Sequence, residues 1–336
     1  MEPLWRKDLR ARRPLFEARA VFLREIRAHF RRRRFLEVDP PLLVPAAGME
    51  PHLDPFEVRG TATSRRAYLP TSPEFYLKKL VASGVDRCFA LAPSFRDEAP
   101  GRGHSPEFLM LEWYRPGRLG HLLRDTRSLL RRLAPLFLPE GKLRRGGVEV
   151  DLLAPIRVFS LPRLFAERTG RDFRLLSDGE AWRELAARHG AAVTGGWSPN
   201  DCFSYLVLAC VEPYLATLPV PAALVGYPAF QAALARSDPR DRRIVRRMEV
   251  FAGGVELANG YEELRDGEEL GKRFAAFQEE RRRAGLPPHP PDGEFFEATA
   301  LLPPCAGIAL GADRLLALLL GETVGRVRHG TGPEGP

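Results

Sequence analysis

The stretch SFRDEAPGRGHSPEFLMLEWY, Ser94 to Tyr114, decides how the rest of the chain is read. Two apolar, strand-like runs, CFALAPSFRDE and PEFLMLEWY, flank a basic Gly/Pro loop. A surface hairpin needs polar residues at its tip, but this one carries Glu112 inside its second strand. Side chains alternate along a strand with period two, so the reading puts Arg96 and Glu98 on one face. A strand-borne arginine forks onto phosphate or carboxylate. Glu98 can accept from an exocyclic amine, Phe108 can stack on a base, and Arg102 and His104 can fold over distal phosphates. The same residues also suit an Arg–Glu ion pair across a hairpin with Phe108 in the core, and the stretch alone leaves both readings open.

The 336 residues are 44% hydrophobic and 28% charged, a globular composition with enough chain for one large core. No apolar run approaches the roughly 18–20 residues that span a bilayer, so no membrane partner is expected. The basic first residues lack an apolar signal core, and the expected location is cytoplasmic. Four cysteines (Cys88, Cys202, Cys210, Cys305) without CxxC spacing read as thiols rather than as a zinc or disulfide framework. The net charge of +8 favours polyanions: nucleic acid, nucleotides or an acidic protein.

Helical spacing of Phe22, Ile26 and Phe30 predicts a helix from Pro14 to about His29. RAYLPTSPEFYLKKLVASG predicts a strand, a Thr-Ser-Pro cap and a helix from about Pro73 to Gly84. Capped amphipathic helices follow from Ser160 and near Ser177, then a third, more buried one over NDCFSYLVLACVEPYLA. RMEVFAGGVELANGYEEL carries two hairpin signals, Gly253-Gly254 and Asn259-Gly260. Hairpin strands with interspersed helices predict an α+β fold with a large antiparallel sheet flanked by helices. Residues 1–14 read as a basic extension, 15–322 as the main domain with a helical insertion at about 120–218, and 323–336 as a frayed tail.

Two further constellations carry chemistry. GIALGADRLLALLLG runs a strand with Gly307 and Gly311 into a helix with Arg314 in its first turn, where glycine admits a ligand and the helix N-terminus favours anions. The alternative is a tightly packed strand–helix corner. Glu249, Glu256 and Glu263 lie seven apart; the glycine turns between them break strand parity, so all three can face one cavity. Carboxylates of this kind suit magnesium on ATP phosphates or a substrate ammonium, or else are hairpin surface acids. Thr71 to Glu74 read locally as a helix cap.

These segments occur in the order that class II aminoacyl-tRNA synthetases use. RRFLEVDPPLL resembles their motif 1, SFRDE…HSPEF their motif 2, and GIALGADRL their motif 3. TSPEFYLKKL, HSPEFLMLEWY, VEPYLA and GVELANGYEEL resemble the lysyl-tRNA synthetase branch, over about Leu15 to Leu320. Only about 14 residues precede the motif 1 helix, which implies no anticodon-binding domain and no tRNA partner. Ala258 and Ala309 stand where the synthetase pattern has glycine. With LEWYRP, they resemble truncated paralogues that attach (R)-β-lysine to a lysine of elongation factor P, an acidic mimic of tRNA.

The resemblance implies a homodimer formed through motif 1 and an ATP- and Mg²⁺-dependent ligase. It implies that Arg96 and Arg314 act in catalysis, and that Arg96, Asp97, Glu98, His104, Ser105, Phe108, Glu256, Leu257, Gly311 and Arg314 bind ATP. Ser105 departs from the usual Asn. Ser72, Pro73, Glu74, Glu112, Tyr114, Asn259, Glu263, Ala258 and Ala309 would surround the amino acid, and Glu249 and Glu256 would ligate magnesium. A lysyl-tRNA synthetase-like enzyme activating α-lysine, or a non-catalytic binding paralogue, are the alternatives.

Overall fold

A computed structural model describes residues 3–60, 66–99 and 104–328; Arg102 lies outside the described residues. In chain order these residues form helices α1 (Leu4–Ala11) and α2 (Arg13–Arg32), strands β1 (Leu36–Glu37), β2 (Glu57–Arg59) and β3 (Arg66–Tyr68), and helix α3 (Glu74–Ala82). Strands β4 (Cys88–Phe95) and β5 (Glu107–Pro116), helix α4 (Leu119–Phe137) and strands β6 (Lys142–Arg145), β7 (Val148–Asp151) and β8 (Arg157–Ser160) follow. Helices α5 (Leu161–Thr169), α6 (Gly179–Arg188), α7 (Pro199–Leu206) and α8 (Glu212–Ala216) precede strands β9 (Ala222–Pro228), β10 (Ile244–Ala252) and β11 (Val255–Glu262). Helices α9 (Gly267–Arg283) and α10 (Gly293–Leu301), strand β12 (Cys305–Gly311) and helices α11 (Ala312–Leu320) and α12 (Val324–Val327) complete an α+β fold. No helix among the described residues is long and apolar enough to cross a membrane.

The chain divides into two compact units: Met1–Pro116, Arg132–Pro139 and Arg265–Pro336 in one, Gly117–Arg131 and Glu140–Leu264 in the other. In the first, the strand order is β1-β4-β5-β12. In the second it is β11-β10-β9-β8. Most pairs are antiparallel, as expected, and β1 runs parallel to β4 and β8 parallel to β9. Each parallel pair is joined through a long helical crossover, the connection such pairs require.

Strand parity sorts the first unit's sheet into two unlike faces. Leu111 pairs with Leu91 and Leu310, and Trp113 with Phe89 and Ile308. This large, apolar face meets α2, whose Phe30 stacks on Phe89 at 4.7 Å and tilts onto Trp113 at 5.2 Å. Phe22, Ile26 and Phe30 are all buried, in the register that their spacing predicted. On the other face Met110, Glu112 and Tyr114 pair only with small residues: Ala92, Ala90 and Cys88 on β4, Gly311, Ala309 and Gly307 on β12.

One carboxylate fastens this unit. Asp313, buried in the first turn of α11, accepts from the Leu109 amide at 2.7 Å, from Arg328 at 3.2 Å and from Arg19 of α2. Arg12 donates to the carbonyls of Gly325, Arg326 and Arg328. Within the tail expected to fray from residue 323, Val324–Val327 form α12 with Val324 and Val327 buried, while residues 329–336 lie outside the described residues; Leu4–Ala11 form α1.

In the second unit α5 to α7 pack Phe165, Phe173, Trp182 and Phe203 into one aromatic cluster. The expected third helix is interrupted by a π-turn over Val207–Val211. Pro213, two residues on, has no amide to donate into a regular α ladder. The Gly253-Gly254 turn forms, with φ of +56° and +74°. Asn259-Gly260 does not turn: both lie in β11, paired with Glu249 and Met248, and this ladder overrides the local signal.

His29, buried near the end of α2, has its Nδ1 3.3 Å from an Arg33 guanidinium nitrogen. Burial first, then the charges of Arg33, Arg32 and Arg132, lower its pKa to about 3. The unfolded chain therefore takes the proton more readily. His29's contribution is complete above pH 6.5 and is lost as pH falls from 6.5 toward about 3. The expected slope is roughly 1.4 kcal/mol per pH unit. Denaturant unfolding of wild type and His29→Gln between pH 7 and 5 checks this; equal slopes in the two proteins would refute it.

Candidate active site

The small-residue face of β5 lies against α3, where Leu77 and Val81 share one buried cluster with Cys88, Ala90, Ala92 and Tyr114. At one end Tyr114 donates its hydroxyl to Glu112 Oε1 at 2.7 Å, and both side chains are buried. Gly307 makes that placement possible, since a Cβ there would stand 2.1 Å from the Tyr114 ring. Cys88, which pairs with Tyr114 across the sheet, has its thiol pushed up to about 12 by burial and by the Glu112 charge, so it stays protonated. Glu74 opens α3, where Lys78, one turn on, donates to its Oε1 at 2.7 Å. Burial and the nearby Glu50 raise the Glu74 carboxyl, against the pull of Lys78. Ser72 Oγ accepts from the Glu74 amide at 3.3 Å and buried Pro73 precedes the helix, so the cap expected of this stretch rests on Ser72.

Toward the other end, Arg96 continues beyond β4, its amide donating to Pro106 at 2.8 Å. Its guanidinium lies 5.1 Å over the Phe108 ring, and its Nε is buried without a hydrogen-bond partner. A donor in that state suits an anionic ligand. The expectation that Arg96 and Glu98 share a strand face is corrected: β4 ends at Phe95, and the Glu98 amide turns back onto the Arg96 carbonyl at 2.9 Å. The turn brings Glu98 within 3.8 Å of His104, with both side chains substantially exposed. Ser105 is half-buried beside them in sequence, with no contact to assign it a role. Gly311 is the N-cap of α11, and Arg314 sits in that helix's first turn.

In the second unit one irregularity brings the acids to a common face. Val250 pairs with Ala258 but Phe251 pairs with Glu256, which leaves Leu257 as an extra residue in β11. Such a bulge reverses parity, so Glu256 shares a face with Asn259 and with Glu249, Asn259's partner. The expectation of a common face holds for these residues through the bulge and not through an Asn-Gly turn. Glu263, two residues beyond Tyr261 on that same parity, is buried. Leu257 and Ala258 have buried side chains, and Ala258 pairs with Val250 on the opposite face. The Ala258 methyl thus lies on the face opposite to the one that carries Glu249, Glu256 and Asn259. Ala309, by contrast, is paired with Glu112 on the small-residue face.

Glu249 is held at both oxygens. Tyr227 donates to Oε2 at 2.6 Å and Arg247 to Oε1 at 2.5 Å. Burial and Glu249 push the Tyr227 phenol well above its usual range, so it remains a donor. Arg247 also donates to Asn259 at 3.2 Å and to Gln231, and its guanidinium lies 4.6 Å over the Tyr227 ring. Burial, then the Glu249 charge, raises the Glu212 carboxyl. Magnesium takes one or two carboxylates and completes its shell with phosphates and water, so the Glu249 and Glu256 donor set fits it. Among the described residues no group of three or more His, Cys, Asp or Glu could hold a metal alone.

Sequence reasoning missed Lys78, Arg247 and Asp313. Lys78 carried an (i, i+4) signal to Glu74, and Arg247 lies two residues before Glu249 on one strand. Nothing local marks Asp313, whose partners are distant in the chain.

The model of the family "tRNA synthetases class II (D, K and N)" matches residues 7–117 and 217–328. Curated relatives named elongation factor P--(R)-beta-lysine ligase are similar over nearly the whole chain. The Yersinia enterocolitica protein is 36% identical over 311 residues, covering 90% of each chain. The Erwinia tasmaniensis protein is 37% identical over 310 residues with the same coverage. The Klebsiella pneumoniae protein is 36% identical over 318 residues, 92% of each. With the motif residues lying on the strands and helix described above, the chain belongs to the class II tRNA synthetase family of the D, K and N branch.

Proposed function

We propose that this chain is an ATP-dependent, AMP-forming ligase that activates (R)-β-lysine and joins it to a lysine side chain of elongation factor P in the cytoplasm. The observation that carries the reading is the small-residue face of β5. The buried Glu112–Tyr114 pair lies on it next to Ala309 and Gly307, with Phe108 and Arg96 farther along. A carboxylate and phenol at one end suit an ammonium; an arginine with a buried free donor at the other suits phosphate and carboxylate. The names of the relatives supply the substrate and acceptor, and the net charge of +8 suits an acidic acceptor protein. Their match over 90% of their own length favours that acceptor over tRNA. A homodimer through the motif 1 region is part of this reading, and Leu36 of β1 is exposed in that region.

In this reading the substrate carboxylate attacks the α-phosphorus of ATP and pyrophosphate leaves. The acceptor ε-amine then takes the acyl group, releasing AMP. Arg96 holds the α-phosphate and carboxylate, Phe108 and Glu98 hold adenine, and His104 and Arg314 meet the outer phosphates. On the first unit, Glu112, Tyr114 and Glu74 read an amine of the substrate. Glu249 and Glu256 would hold magnesium, which would supply charge neutralisation of the polyphosphate. Positioning and fixed charge are sufficient for such a transfer.

ATP–pyrophosphate exchange tests the reading directly. Exchange is expected with (R)-β-lysine, and acylation of elongation factor P should follow. Efficient α-lysine activation with tRNA charging would favour a synthetase, and flat exchange with every lysine isomer would favour a binding protein.

Glu256→Gln is expected to lower exchange by about 100–1,000-fold, the cost of removing one preorganised charge contact. Near-normal exchange would remove Glu256 from the metal.

Ala309→Gly deletes a methyl beside Glu112. One methyl in a tight pocket is worth about 1–3 kcal/mol, so the preference for (R)-β-lysine over α-lysine should fall by roughly 10–200-fold. An unchanged ratio of kcat/KM values would make Ala309 a packing residue only.

A further inference from the structure

We propose that Arg281, remote in sequence from every motif residue, is a positioning residue for the nucleotide, acting through Asp54 and the Asp97 peptide. The inference rests on the ATP reading of Arg96 and Glu98 given above. Arg281 lies in the last turn of α9 with its side chain 1% exposed. Its guanidinium is spent entirely on fixing two loops. Nε donates to the Pro287 carbonyl at 2.7 Å, one terminal nitrogen to the Pro51 carbonyl at 2.8 Å, and the other to Asp54 Oδ1 at 2.6 Å. His289 adds a second tie, its Nε2 lying 3.1 Å from the Glu50 carbonyl, and Gln278 holds the backbone of His289 from both sides. The 50–54 segment is thus clamped from the 281–289 side. Prolines 287, 288, 290 and 291 stiffen the loop beyond α9.

The segment passes that constraint to the nucleotide side through one bond. The Asp54 carbonyl accepts from the Asp97 amide at 2.7 Å. Asp97 lies between Arg96 and Glu98, so this bond fixes the peptide plane joining Arg96 to Asp97. The Glu98 amide then folds back onto the Arg96 carbonyl. The turn lies beyond the end of β4, where no sheet partner can set the direction of Glu98. Asp54 sets it instead, and Arg281 sets Asp54.

Arg281 variants can fail to fold, because the residue is buried and bonded to three acceptors. Asp54, whose side chain is 40% exposed, gives the cleaner test. Asp54→Ala is expected to raise the KM for ATP in pyrophosphate exchange by about tenfold, the scale of one lost charge-assisted hydrogen bond. The kcat and the KM for the lysine isomer should stay near wild type, while Tm should fall, because the buried Arg281 loses its carboxylate partner. Asp54→Asn, whose Oδ1 can still accept from Arg281, should recover part of the loss. A KM for ATP within twofold of wild type, or a fall in Tm with that KM unchanged, would overturn the proposal. If the wild-type protein shows no exchange with any lysine isomer, the ligase reading falls. ATP affinity by calorimetry then decides this inference alone: a tenfold weaker Kd in Asp54→Ala sustains it, and an equal Kd refutes it.

Discussion

The alternation of side chains along β5 is the constraint on which the first unit depends. A strand between two neighbours has two faces, and here they have opposite needs. Leu111 and Trp113 must meet α2 closely to make a core, so their cross-strand partners are large. Glu112 and Tyr114 must be seated under α3, so theirs are cysteine, alanine and glycine. A shift of one residue in register would bury Glu112 against α2 and expose Trp113. Register and site are therefore specified together, and the apolar face that supplies stability also aims the polar one.

Much of this was legible because it is local. The period of α2, the small residues of GIALG and the acid inside a strand run can each be read without tertiary knowledge. What escaped has a common physical origin: it depends on partners brought together by the fold. Asn259-Gly260 is a strong turn signal in isolation, but the pairing of Asn259 with Glu249 holds it extended. Glu98 was expected on a strand because the apolar run gives no sign that β4 stops at Phe95; the turn is set by the Asp54 carbonyl, far back in the chain. The bulge at Leu257 has no local mark either, since leucine is an ordinary strand residue. Parity counted from sequence would have separated Glu256 from Asn259, and only the register restores them to one face.

The buried charges show how a polar floor is kept inside a packed protein. An isolated buried ion is costly, and each carboxylate of known partner here has a specific donor. Glu74 has Lys78, Glu249 has Arg247 and Tyr227, and Asp313 has Arg19, Arg328 and a backbone amide. Such groups add little net stability compared with apolar residues of the same size. What they add is direction: a carboxylate held at both oxygens cannot swing, and its neighbours inherit its position. Asp313 illustrates this, because the amide it holds belongs to Leu109, next to Phe108, and its own helix begins with the turn that carries Arg314.

Arg96 is half-buried, and its Nε is buried without a hydrogen-bond partner among the described residues; Arg12 shares that feature but donates through a terminal nitrogen to three backbone carbonyls. The Arg96 guanidinium rests on the Phe108 ring, an arrangement that keeps the side chain extended along the small-residue face without occupying its hydrogen-bonding edge. A carboxylate partner there would have been better for stability and would have closed the site to an anion. The ring supports the arginine by its face. In the proposed reading, that buried Nε is the donor left for an anionic ligand.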